Sequence, residues 1–363
     1  MGRNTIIIGS ILLIVFGAVY FVMTNSKGDR IQLPKGEESK PETIVIKDGE
    51  VLGTTEEVEM TEEEMKLEEN VVVREIMVTG GQRHSVPLDE IQGGGPAKDG
   101  IPSIDNPKYV GIDEANEWLT DTEPGIAVSR GNIHRFYPYQ ILVWHELVND
   151  TIEGERVLIS YCPLCLTGVV FDPVVQGERV EFGTSGLLWQ SNLVMYDRKT
   201  DSLWSQVLGE SILGEMTGTA LKTLPSDQAL YGKWKEQYPN GEVLSKDTGA
   251  VKFYGSNPYG SYYDVQSFSL RMVTNVDSRL SNDAFVFGVV VNGKAKAYDV
   301  EAIKAIGEVV DTFEGTEFVL RHNTDLDVVQ IFKKVNNKEE RVNPFSTFWF
   351  SWVAAHPNTE LYQ

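Results

Sequence analysis

From about residue 126 onward, apolar and polar residues alternate in short runs broken by Gly, Pro, Asp and Ser, the period-two pattern of half-buried strands. Residues 126–129 and 133–137 flank Arg130-Gly131-Asn132 as a hairpin, and 156–161 reads as a buried strand. The runs VVFDPVV, QGERVEFG, SNLVMYDR and SLWSQVLG that follow are predicted as further antiparallel strands. Two stretches carry helical signals. PYQILVWHELV opens with Pro138, which suits a first helical turn, and SDQALYGKWKEQYPNG offers Ser226 or Asp227 as N-cap and Pro-Asn-Gly as a stop. The expected class is α+β, rich in mostly antiparallel strand.

The pattern occurs twice. Asp150-Thr151-Ile152-Glu153-Gly154 matches Asp311-Thr312-Phe313-Glu314-Gly315 at an offset of 161, which also sets Tyr137 over Tyr298 and Val148 over Val309. Further on, WKEQYPNGEVL from Trp234 lies over WVAAHPNTELY from Trp352, now at an offset of 118, so the second copy is 43 residues shorter. The missing interval lies between the central strand and the closing helix. In the first copy that interval holds the chain's two cysteines and most of the residues after them. A duplication follows, with one copy carrying an insertion where chemistry could sit and the other reduced to a scaffold.

The N-terminal part has a different composition. Residues 5–23 are nineteen positions without a charge, long enough to span a bilayer's hydrocarbon core, and they predict a retained transmembrane anchor. Between 37 and 70, thirteen Asp or Glu face three Lys, which predicts a solvated acidic spacer. GGGPAKDGIPSIDNP then reads as a Gly/Pro-rich entry to the globular part. The divisions are therefore 1–25 as tip and anchor, 26–99 as stalk, 100–250 as the first repeat unit, and 251–363 as connector and shortened second unit. A net charge of −21 with no basic run excludes a nucleic-acid backbone as partner. That leaves the membrane through the N-terminal helix, and an unknown small molecule or protein.

Candidate chemistry centres on YCPLCLTG. With two cysteines in the whole chain, a four-thiolate zinc site is excluded by counting, and the β-branched residues after Thr167-Gly168 do not suit a motif that starts a helix. Three readings stay open. In the leading one, Cys162 and Cys165 bind copper or zinc, with His145 as third ligand and His134 as its substitute. In the second they cycle between dithiol and disulfide as a thiol-disulfide oxidoreductase; in the third they form a structural disulfide in a non-catalytic binding module. Glu146 and Asp150 lie nearby as possible acids or bases, but no paired-carboxylate spacing singles them out. Downstream, Trp189, Gln190, Asn192, Asp197, Arg198, Trp204 and Gln206 cluster at the density of a ligand-binding cleft.

WHELVND, ISYCPLCLTGVVFD, FGTSGLLWQSNLVMYDRKTDSLWSQ and FWFSWVAAHPNTELY resemble segments of the domain of unknown function 3179 family of bacteria and archaea. The likeness covers roughly residues 100–363. One departure is Leu166, where the family's pattern usually has Gly after the second Cys. The resemblance implies an exported or membrane-anchored protein, with the large domain extracytoplasmic, and it passes on no catalytic residue.

Overall fold

The structure, a computed structural model, describes residues 29–59, 61, 71–260 and 272–363. Of these, 47% are strand and 11% helix, which corrects the α+β expectation to a β fold with mostly antiparallel sheets. The physical reason is helix length. The longest described helices, Tyr231–Gln237, Val300–Ile306 and Trp349–Ala355, run about two turns, so they plug the ends of sheets and build no layer of their own.

Both expected helices are shorter than their sequences suggest. The first is a single turn, Tyr139–Leu142, because the chain turns at Glu146 and enters the strand Leu147–Ile152. The second begins at Tyr231, behind Leu230, because Asp227–Leu230 is a strand that pairs with Pro124–Arg130. Local capping signals at Ser226 and Asp227 lose there to hydrogen bonds of the sheet.

Two runs of elements match position for position. Pro124–Arg130, Ile133–Pro138, Leu147–Ile152 and Glu155–Cys162 in the first correspond, at the offset of 161, to Phe285–Val291, Lys294–Asp299, Glu308–Phe313 and Thr316–Asn323. At the offset of 118, the strand, helix and strand Asp227–Leu230, Tyr231–Gln237 and Glu242–Leu244 correspond to Phe345–Phe348, Trp349–Ala355 and Glu360–Tyr362. In each unit the last of these strands pairs in parallel with the second strand of the hairpin. A polar anchor recurs as well. Tyr137 and Arg135 both bind the Asp150 carboxylate, and Tyr298 and Lys296 both bind that of Asp311.

The units meet in one eight-stranded sheet, where Gly168 on Thr167–Asp172 pairs with Ser346 on Phe345–Phe348. The first unit's insertion forms a second large sheet from Phe182–Trp189, Asn192–Asp197, Leu203–Ser205 and Glu210–Leu213. That sheet continues into Gln82–His84, Val71–Thr79, Glu38–Lys47 and Glu50–Thr54. Much of the expected stalk is therefore folded. Ile44, Ile46 and Ile76 pack together and Val45 is buried as well, while charged residues such as Glu38 and Glu75 stay exposed, an apolar core that composition alone obscures. The expected anchor at 5–23 lies outside the described residues, and among the described residues no helix is long and apolar enough to cross a membrane.

The closing helix of the second unit packs unusually close to its sheet at Gly288, where a Cβ would lie 2.2 Å from the Trp352 ring. That ring is held by its Nε1 donating to Thr359 Oγ1 at 2.9 Å, so it cannot simply swing away. Gly288→Ala should therefore destabilise the protein by about 2 kcal/mol in urea unfolding. An unchanged midpoint would mean that the ring yields without loss.

Candidate functional site

Cys162 ends the strand Glu155–Cys162, Cys165 lies in the tight turn after it, and Thr167 starts the returning strand Thr167–Asp172. Both cysteines are free thiols, with exposures of 1% and 0%. A buried sulfur needs polar company if it is to carry charge, and here that company comes from three parts of the chain. From the insertion, Asn192 Nδ2 donates to Cys165 Sγ at 3.2 Å. Within the turn, Thr167 Oγ1 lies 2.9 Å from the same sulfur. Across the junction, Thr347 Oγ1 is 2.7 Å from Thr167 Oγ1 and donates to the Cys165 carbonyl at 3.3 Å, while the Phe348 N–H reaches that carbonyl at 3.0 Å. Ser351 on the closing helix adds a buried hydroxyl that has no well-aligned partner among the described residues.

The orientation of Asn192 is over-determined. Its Oδ1 accepts the Val207 N–H at 3.0 Å, so its amide nitrogen must face Gln206 Oε1 at 3.1 Å and the sulfur. Gln206 in turn donates to Ser160 Oγ at 3.0 Å and to the Thr167 carbonyl at 3.1 Å, and Ser160 donates to the Val169 carbonyl at 2.7 Å. Every polar atom in that chain has a partner, which fixes the donors around the sulfur before any reaction begins.

The electrostatic result is an unequal pair. Burial pushes the Cys165 thiol up, but the polar groups around it, Cys162, Thr167 and Asn192 first and the Ser351 hydroxyl nearby, outweigh burial and bring the thiol below its ordinary range. Burial raises Cys162, and its role as donor to Cys165 raises it further. Of the two sulfurs, Cys165 is the one whose surroundings favour the ionised form.

The remaining expected site residues separate into groups. His145 is buried beside this cluster in sequence, but its Nδ1 is 2.7 Å from the Pro102 carbonyl and its Nε2 is 2.6 Å from the Tyr254 hydroxyl. Burial pulls its pKa down to about 4, which keeps the ring neutral. Among the described residues no group of three or more His, Cys, Asp or Glu side chains could hold a metal ion. His134 stacks on Tyr238 and lies 2.8 Å from Ser129 Oγ. Of the residues expected to line a cleft, Asn192 and Gln206 belong to the cysteine cluster. Trp189 and Gln190 instead bind Glu90, Asp197 accepts the Trp204 indole N–H and closes its own turn, and Arg198 pairs with Asp105 and Glu181.

Two residues carry more than the sequence showed. Leu166 has φ 50°, in the left-handed region that favours glycine, and it packs against two hydrophobic clusters. It also lines a cavity of about 480 Å³ together with Tyr139, Tyr161, Phe348, Glu123 and Asp283. Glu146 has φ 61° and is 7% exposed. Burial pushes its carboxyl up to about 8, with the Tyr259 hydroxyl opposing and the negative charge on Cys165 adding to the rise. The only sequence signal for Glu146 was its nearness to His145, and its strained backbone could be found only in three dimensions.

The stability of the protein should register that buried carboxyl. Below about pH 4.5 the group is neutral whether the chain is folded or not; from there to about pH 8 only the unfolded chain releases the proton. Stability therefore falls across this window by a contribution on the order of 4 kcal/mol. Glu146→Gln should lose that contribution, so chemical unfolding from pH 4.5 to 8.5 should show the variant gaining on the parent as pH rises. Parallel pH profiles would show that the carboxyl is not buried neutral.

No curated protein and no solved structure matches the chain. A family does: the one described as Protein of unknown function (DUF3179) matches residues 98–342. That span takes in the first unit, the insertion with Asn192 and Gln206, and most of the second unit's strands, and it ends just before the junction strand Phe345–Phe348. The cysteine pair and its insertion-borne donors are thus parts of one domain, and the chain belongs to the DUF3179 family.

Proposed function

We propose that this protein is a dithiol redox protein in which Cys165 is the attacking thiolate and Cys162 its partner, exchanging with a small thiol or disulfide. The observation that carries this reading is the set of donors fixed around one buried sulfur, drawn from the turn, the insertion and the second unit. A permanent staple would need no such stabilisation of an anion, whereas a nucleophilic thiolate does. The burial of both sulfurs selects a small reaction partner, and the cavity beside Leu166 is of small-molecule size.

The chemistry balances with a disulfide RSSR as oxidant. Cys165 Sγ⁻ attacks one sulfur, forming Cys165–S–S–R and releasing RS⁻. Cys162 then gives up its proton and attacks Cys165 Sγ; the second RS⁻ leaves, and the Cys162–Cys165 disulfide closes. Two electrons pass from the protein dithiol to RSSR. The reverse sequence reduces the protein.

With hydroxyethyl disulfide as probe, the purified full chain should lose both titratable thiols. Cys162→Ser should stop at a mixed disulfide on Cys165, and Cys165→Ser should form none. Asn192→Ala should slow alkylation of Cys165 by iodoacetamide at pH 7 about tenfold, because a donor to the thiolate is gone. Metal analysis of the same sample tests the copper or zinc clamp. Stoichiometric metal that shields both thiols until it is chelated, or an adduct on Cys162 instead of Cys165, would overturn the redox assignment.

A further inference from the structure

The internal repeat provides a comparison within one molecule. At the offset of 161, Glu146 corresponds to Gly307, and the two positions make the same backbone bonds. Glu146 N donates to the Leu142 carbonyl at 2.7 Å and Gly307 N to the Ile303 carbonyl at 2.8 Å. The Glu146 carbonyl accepts from Tyr161 N at 2.7 Å and the Gly307 carbonyl from His322 N at 2.8 Å. Both residues have positive φ, 61° and 94°. The turn therefore calls for glycine, and the second unit has one. The first unit instead holds a glutamate in that backbone, at a conformational cost on the order of 1 kcal/mol, and buries its carboxyl as well.

The unit that carries the strain is the unit that carries the thiols. In the second, the positions equivalent to Cys162 and Cys165 are Asn323 and Leu326. Strain and burial of an acid are both unfavourable for folding, so the side chain must serve something that Gly307 does not. Its surroundings say what. The Tyr259 hydroxyl donates to Oε1 at 3.3 Å, and among the described residues Tyr259 and Cys165 act on the carboxyl. Cys162 in turn feels the Glu146 charge. His145, next in sequence, is turned away onto Pro102 and Tyr254, and Lys252 acts on His145.

Resting on the dithiol reading above, we infer that Glu146 is the proton donor and acceptor for Cys162. When the disulfide opens, Cys162 leaves as a buried sulfur that has the Leu193 backbone N–H beside it but, among the described residues, none of the side-chain donors that surround Cys165, and it needs a proton that bulk water cannot easily deliver. With a small thiol as reductant, Cys162–S–S–Cys165, two RS⁻ and Glu146–COOH become Cys162–SH, Cys165–S⁻, RSSR and Glu146–COO⁻. The carboxylate now lies near a thiolate, and that repulsion returns it to the protonated form by uptake from solvent. In the oxidative direction the same carboxylate takes the Cys162 proton.

The test uses the full chain, oxidised with hydroxyethyl disulfide and then reduced by 2-mercaptoethanol from pH 5.5 to 9.5, with rates normalised to the reductant's thiolate concentration. In the parent the normalised rate should fall as pH rises through the titration of Glu146. In Glu146→Gln that transition should vanish, with the rate at pH 6 to 7 lower by on the order of 10²-fold. Glu146→Gly is the control for folding, because glycine suits this turn. It should be at least as stable as the parent and show the same kinetic loss. If both variants fold and keep the parent's pH profile, Glu146 is a structural residue and the inference fails. If the parent itself forms no Cys162–Cys165 disulfide, the dithiol reading fails first and takes this one with it.

Discussion

The structure depends on one crossing point, where the chain of the second unit comes back to close the sheet of the first. Ser346 pairs with Gly168, and the Phe348 N–H takes the carbonyl of Cys165. Backbone groups buried at such a junction must all be paired, and this pairing has a consequence for side chains. It brings Thr347 and Ser351 of the second unit to the cysteine turn that Asn192 of the insertion also reaches. The environment of the Cys165 sulfur is thus a property of the joined molecule. Neither unit has it alone.

Duplication gives the molecule its economy. Both units keep the hairpin, the turn, the strand pair with its buried Tyr–Asp–cation anchor, and the closing strand–helix–strand. They differ where chemistry can be placed. The first unit has cysteines in place of Asn323 and Leu326, a glutamate in place of Gly307, and an inserted sheet that delivers Asn192 and Gln206. Even the departure at Leu166 has its counterpart, because Asp327 takes the same left-handed backbone, with φ 56° against 50°. The turn geometry is inherited, and the side chains placed on it are not.

The strained backbone and the buried titratable groups collect in one unit. Glu146 and Leu166 hold backbone angles that glycine would take without cost, and burial holds the Glu146 carboxyl above its usual range in the unit that carries the buried cysteines. Such a site is stable only because the surrounding sheets over-determine it. The N-terminal strands belong to that support. They extend the inserted sheet with paired backbone and ion pairs such as Arg83 with Glu42, so an acid-rich segment becomes an edge of the fold and not a spacer.

Much was legible in the sequence. Period-two runs located the strands from 126 onward, the matched pentapeptides located the repeat and its shortened copy, and the only two cysteines located the site. What sequence could not supply were the contacts made across it. His145 and Cys162 lie seventeen positions apart and look like ligands of one ion, but the strand direction turns the imidazole to Pro102 and Tyr254. Thr347 is 182 residues from Cys165 in the chain and donates to its carbonyl. By itself the sequence determined periodicity, duplication and the kind of reactive atom present, because those depend on residues near one another in the chain. Only the tertiary structure decided which groups meet that atom, because sheet pairing over long separations fixes which way each side chain points.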